Sequence, residues 1–232
     1  MAERHPDVLV GGLVATGLQA ASAAVADQPP RVDTQAELLE RGLTIEKIAS
    51  EPIIADWRTA IAACGLKPST FKSSPEQLAR RMLKSGPLHT PLPLVDLYCD
   101  VATRHLAPMG AYDLSSLPVA QVALRLARPG EDVFHPLGAR DDEMPISPQV
   151  AVYAAGNVII CWAYNCRDSR DTCLTPDTDV GLFLGEAVTQ GQQGPLRAAF
   201  DDLAARLAEA GANVGPIAFA SATAPAVDVS HP

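Results

Sequence analysis

No run of eighteen apolar residues occurs in this 232-residue chain, so no segment has the length that a membrane-spanning helix requires. Also missing are a phosphate-cradling Walker loop, a GxSxG nucleophile elbow and an HExxH zinc helix, and Gly11-Gly12 opens no dinucleotide fingerprint. The five cysteines (64, 99, 161, 166 and 173) include no CxxC pair and the five histidines are scattered. No metal or other cofactor is therefore expected, and the cysteines read as reduced, mostly buried thiols. Basic charge is scarce: 18 Lys and Arg face 27 Asp and Glu, a net charge of −9, and no basic cluster exceeds a pair such as Arg80-Arg81. Gripping tRNA requires phosphates to be neutralised, so the composition counts against a strong RNA binder, although a local basic face stays open.

What is present is globular in composition, 47% hydrophobic and 19% charged, and long enough to bury one sizeable core. The first apolar stretch follows Glu3, Arg4 and His5 rather than a basic region. It reads as an edge of the fold, not a signal peptide, and a cytoplasmic location is the default expectation.

Residues 8–17 read as a strand, followed by an Ala-rich segment at 18–26 and a polar break at 27–30. Helical patterns follow at 34–41 and 45–64, the second of which Pro52 must kink or divide, with Ile48, Ile54, Trp57 and Ile61 suiting a sheet-facing side. Ser74-Pro75-Glu76-Gln77 is a helix start with Ser74 as N-cap, and that helix stops at Gly86-Pro87. The elbow 87–93 holds three prolines, so His89 is held rather than dangling. The next helix, 94–106, places Val95, Cys99, Ala102 and Leu106 on one stripe and Asp96, Asp100 and Thr103 on another. Beyond the turn at 108–113 the pattern is β-type: 119–126, a hairpin of 149–154 with 157–164, and 179–188. The Gly/Gln-rich 189–194 separates the last strand from a helix at 195–210; 214–220 reads as a final strand and the remaining tail as loose. Helices packed on mixed sheets make an α+β fold, a single domain in which 1–66 completes a core at 67–215 and 216–232 is a tail.

Several residues carry candidate chemistry. Cys99 points inward, either as a small buried hydrophobe or as a reactive thiol in an interior pocket. Glu186 shares a strand face with Leu182 and Leu184. Either it emerges into water, or it is desolvated with a raised pKa that suits a general acid or base. Arg167 and Asp168, after a very apolar strand, belong to a solvated loop or to a pocket mouth where the arginine can grip a carboxylate. His5 and His231 are terminal, His105 suits a helix C-terminus, and His135 reads as a surface residue.

The segments SPEQLARR, PLVDLY, APMGAYDL, RPGEDVFHPLG, NCRDS and LTPDT, with the strand that ends at Glu186, resemble the B3/B4 domain of the phenylalanyl-tRNA synthetase beta subunit, above all its free-standing bacterial forms. The resemblance implies an α+β fold with a pocket between helices and sheets. In the synthetase it implies hydrolysis of mischarged tyrosyl-tRNA. The histidine of that editing turn falls on Gly110, the pocket glutamate falls approximately on Glu186, and the family's Thr-x-Ala pair has no counterpart. Cys99 stands where free-standing relatives have Asn, and Cys166 where they have Trp. A second, looser resemblance is to bacterial Pictet–Spengler enzymes, whose catalytic Arg, His and Glu fall near Lys72, His89 and Cys99. The expectation is an enzyme acting on an amino acid or amino-acid-derived small molecule, with Cys99, His89 and Glu186 as catalytic candidates. Lys72, Arg81, Asp96, Gly110, Tyr112, Arg167 and Asp168 are the substrate-binding candidates. A trans-acting aminoacyl-tRNA editing hydrolase or a tRNA-binding module is the alternative, and a homodimer stays open.

Overall fold

A computed structural model describes residues 1–26, 33–141 and 143–229. The polar break at 27–30 and His231 lie outside the described residues. The chain runs β1 (Leu9–Thr16), α1 (Leu18–Ala26), α2 (Thr34–Glu40), α3 (Pro52–Ala63), α4 (Ser74–Ser85), α5 (Pro93–His105), β2 (Gly110–Asp113), β3 (Val122–Leu126), β4 (Ala151–Ala155), β5 (Val158–Trp162), β6 (Arg167–Asp168), β7 (Val180–Ala187), α6 (Gln190–Glu209), β8 (Asn213–Val214) and β9 (Ala218–Ser221). The architecture is α+β.

One sheet has the order β2-β7-β1-β8, with β9 also on β1; the other has the order β3-β4-β5-β6, and every pairing within them is antiparallel. Period-two alternation gives β7 two buried faces. Phe183 and Ala187 turn to α5 and α6, packing with Val101, Ala102, Leu196 and Phe200. Leu182 and Leu184 turn to the second sheet, packing with Tyr153, Ile160 and Cys161 there and with Tyr112 of the neighbouring β2. Helix α3 covers the far side of the second sheet through Trp57, Ala60 and Ile61, which pack on Val152, Ile159 and Trp162. Gly11 belongs to this packing rather than to a nucleotide loop: a Cβ there would run into the Phe200 ring of α6.

Several boundaries differ from the sequence reading for local reasons. Pro52 divides the second helical pattern: Ile48–Ser50 is a 3₁₀ turn and Pro52 opens α3. Trp57 and Ile61 face the second sheet, whereas Ile48 and Ile54 pack on Ala79 and Met82 of α4. Ser73 takes the N-cap position of α4, while Ser74 is its first residue. Residues 190–194 of the Gly/Gln-rich stretch are helical and open α6: Thr189, the N-cap, and Gln192 close a capping box there, and the glycines disguise it.

Candidate functional site

The elbow and the helices beside it surround a cavity of about 420 Å³, within the span typical of small-molecule pockets. Leu78, Met82, Leu88 and Leu97 give it an apolar wall; Arg81, His89, Asp96, Asp100, Thr103 and Arg206 give it polar groups, and Cys99 reaches its floor. The stripe of Asp96, Asp100 and Thr103 on α5 therefore faces this cavity. The elbow is held from within: both Asp96 carboxylate oxygens accept from the Thr90 N–H at 3.0 Å, and the Thr90 hydroxyl donates to Leu92 O at 3.0 Å.

The charges of the cavity are unequally satisfied. Arg206 donates from Nη1 to Asp100 at 2.8 Å and from Nε to Asp202 at 2.9 Å, so this arginine and Asp100 answer each other. Asp96 has no cation partner, and Arg81 and His89 make no hydrogen bond or ion pair, among the described residues. Arg81 and His89 are exposed. An unmatched acid and an unmatched guanidinium thus line one cavity without pairing with each other.

Cys99 is 8% exposed, and burial pushes its thiol up to about 12, with Asp168, Asp96 and Asp100 adding to the effect. The thiol therefore stays protonated at neutral pH, and no base hydrogen-bonds it among the described residues, so it lacks the features of an activated nucleophile.

A second cluster lies between the sheets, with Glu186, Tyr112 and Tyr153 buried and Asn165 and Asp168 half-buried. Glu186 is 1% exposed. Its carboxylate accepts from the Tyr153 hydroxyl at 2.7 Å and from Asn165 Nδ2 at 2.6 Å. Desolvation outweighs both bonds and lifts this carboxyl to about 7, the range of a general acid or base. Tyr112 donates to Asp168 at 3.0 Å, and burial raises the pKa of Asp168 as well. Cys161, paired with Asp168 across β5 and β6, lies between the two carboxyls, and its own thiol is pushed up by desolvation.

Asn165 owes its position to a strained turn. Ala163 and Tyr164, neither of them glycine, are left-handed at φ 52° and 62°. Tyr164 is fully buried, edge-on to Trp57 at 5.7 Å and hydrogen-bonded to His5 at 2.7 Å, which holds the turn in place. Asn165 Oδ1 then accepts from the N–H of Ser74 at 2.9 Å, leaving its NH₂ for Glu186. One amide thus ties the start of α4, a wall of the cavity, to the sealed carboxyl.

The residues singled out from sequence therefore fall into two places. His89, Arg81, Asp96 and Cys99 meet at the cavity; Glu186, Tyr112 and Asp168 meet between the sheets, and Glu186 does not line the cavity. Gly110 opens β2 opposite Leu184, and the space that its side chain would need is filled by the Tyr112 phenol. Lys72 lies in the loop before α4, donates to Ser69 O at 2.6 Å and does not line the cavity. Arg167 is half-buried and, among the described residues, grips no carboxylate and leaves its buried Nε without a partner; its Nη1 donates to Leu137 O at 3.4 Å. His135 pairs with Asp171, and His105 pairs with Asp202, the carboxylate that Arg206 also engages; neither histidine lines the cavity. Sequence reasoning missed Tyr153, Asn165 and Arg206. Tyr153 carried a signal, as the one hydroxyl in the apolar strand AVYAA; Arg206 carried only its i,i+4 spacing from Asp202, because its other partner, Asp100, lies on another helix.

Among the described residues no helix is long and apolar enough to cross a membrane. No curated protein matches the chain. Residues 56–192 match the model of the B3/4 domain, a span that runs from within α3 to the first turn of α6 and contains both the cavity's elbow and the sealed carboxyl. That match takes in more than half of the sequence, and the chain belongs to the B3/4 domain family.

Proposed function

We propose that this B3/4-domain protein is an enzyme acting on an amino acid or an amino-acid-derived small molecule bound in the elbow cavity. The observation that carries this reading is the pair of unmatched opposite charges, Arg81 and Asp96, facing one space. A zwitterion answers both: its carboxylate meets the guanidinium in a forked, charge-assisted contact, and its ammonium meets Asp96. The apolar wall of Leu78, Met82, Leu88 and Leu97 receives the rest of the molecule. His89, exposed at the same space and without a hydrogen bond among the described residues, is the group placed to move a proton on the bound substrate. Cys99 contributes wall, because its thiol stays protonated. Glu186 is the second proton-exchanging candidate, acting from behind the cavity rather than on the bound substrate.

The aminoacyl-tRNA reading has less support. The position of the editing histidine is a glycine covered by Tyr112, and the net charge of −9 opposes phosphate binding.

A thermal-shift panel of free amino acids, their amides and their N-acetyl derivatives tests the proposal, since a ligand that binds the native state raises the melting temperature. Free amino acids should stabilise the protein; amides, lacking the carboxylate, and N-acetyl forms, lacking the ammonium, should do so less. Arg81→Leu and Asp96→Asn should each abolish the response. A panel with no stabilising member, or both variants responding like the parent, overturns the reading. Among compounds that bind, turnover lost in His89→Ala with binding retained supports the proton-transfer role.

A further inference from the structure

We propose that the segment following β9, residues 225–229, is a strap that closes the slot between the two sheets beside Glu186 and controls access to that carboxyl. The proposal is independent of the ligand in the elbow cavity.

The segment is hinged and latched by identifiable groups. At the hinge, the Ser221 N–H donates to Ala224 O at 2.9 Å and the Ala224 N–H donates to Ser221 Oγ at 3.1 Å. The chain then returns over the face of β1 that looks at the second sheet. Val229 is seated on Gly12: its two methyl carbons stand 3.1 and 3.9 Å from where a Cβ on that glycine would be, with Leu184 Cδ2 at 3.6 Å. The missing side chain of Gly12 is what makes the seat. Val229 packs there against the cluster that holds Val14, Tyr112, Tyr153 and Leu184.

The strand register places this latch beside the sealed carboxyl. Gly12 pairs with Leu184, and two residues along both strands Val10 pairs with Glu186. Two residues of strand span about 7 Å, so Val229 lies one side-chain row from Glu186 on the same face.

The latch is weak compared with what it covers. Residues 223–228 are exposed, and residues 225–229 make no hydrogen bond to the rest of the described protein. One half-buried valine favours the closed state by roughly fivefold, far less than the core around it. By contrast, Glu186 is 1% exposed and both its oxygens are engaged. A strongly sealed proton-holding group beside a loosely latched cover is the arrangement of a gated site, in which local opening precedes use.

The test uses the full chain and labels carboxyl groups with a water-soluble carbodiimide and a small amine, with Glu186 followed by mass spectrometry. Val229→Ala should speed labelling of Glu186 about fivefold, the loss of the latch preference, and Val229→Asp should speed it further. Val227→Asp, at a position already 43% exposed, should leave the rate unchanged. Buried Asp132, paired with Arg125 on the second sheet, reports general loosening. Unchanged labelling of Glu186 in Val229→Ala overturns the proposal, and so does a rise at Asp132 matching the rise at Glu186. If Val229→Asp fails to fold, Val229→Ala still decides the matter.

Discussion

Replacing Glu186 by Gln isolates one protonation event and tests whether the interior between the sheets raises this carboxyl. Its pKa stands at about 7 in the folded protein against an ordinary value of 4.5, and the side chain is sealed from solvent. A folded-state value above the unfolded one means that the native state holds the proton more tightly. The stability this supplies is complete below about pH 4.5 and is lost as the pH rises through about 7. The interval between those values, at about 1.36 kcal/mol per pH unit, corresponds to about 3 kcal/mol. Glutamine keeps an acceptor oxygen for Tyr153 or Asn165 and does not titrate. The stability of Glu186→Gln relative to the parent should therefore swing by about 3 kcal/mol in the variant's favour between about pH 4.5 and about pH 8. Urea unfolding across that range, with slopes confirmed equal, measures the swing. Asp168 is raised by burial and titrates in the same sense; His5, lowered by burial, titrates in the opposite sense. Both are present in parent and variant, so they cancel in the difference, except for the mutual repulsion of Asp168 and Glu186. A difference that stays flat within about 0.5 kcal/mol refutes the raised carboxyl.

Glu76 is sealed within α4 and accepts from Arg58 and Arg80 at 2.9 Å, so Glu76→Gln should cost about 3 kcal/mol in urea unfolding, and a loss below about 1 kcal/mol would show the triad to be dispensable. With Cys173 the one half-buried thiol and the other four buried, Ellman's reagent should modify Cys173 first and the rest only on unfolding; rapid native reaction at Cys99 would restore the thiol to the list of nucleophiles. Gly11→Ala drives a methyl group into the Phe200 ring and should lower stability by about 1–3 kcal/mol, with a neutral effect showing that α6 can move away.

The fold was legible where one rule of local chemistry decided the outcome. Pro75 and Glu76 opened α4, Gly86 ended it, and the hairpin turned at Gly156, which adopts φ 61°. The alternation that put Leu182, Leu184 and Glu186 on one face of β7 also gave Glu186 its desolvation, and the structure places that face between two sheets. The first turn of α6 was illegible because glycines at 191 and 194 mask a cap completed by Thr189 and Gln192. The division of the candidate residues into two places was illegible for a different reason. Spacing along a helix orders Asp96, Cys99 and Asp100 on a surface, but it says nothing of which neighbouring elements enclose that surface. The partners of Arg206 on α5 and α6, and of Asn165 at Ser74 and Glu186, lie between 4 and 106 residues away in the chain.

Gly110 and Tyr112 are best understood together. Residues two apart on a strand share a face, so a side chain at 110 and the ring at 112 compete for one volume. With glycine at 110 the Tyr112 phenol lies back over it and donates to the half-buried carboxyl of Asp168. An imidazole at 110 would displace the phenol and leave Asp168 short of that hydrogen bond, at a cost of about 1–3 kcal/mol. The glycine at 110 is therefore part of this interior's packing: the Tyr112 phenol occupies the space that a side chain there would take. The imidazole that lines the open cavity is that of His89 on the elbow, while carboxyls with raised pKa lie between the sheets. Cys99 touches the first place and feels the charge of Asp168 in the second, and Asn165 fixes the helix that walls the first to the carboxyl of the second. One amide thus joins the carboxyl of Glu186 to the helix that carries Arg81.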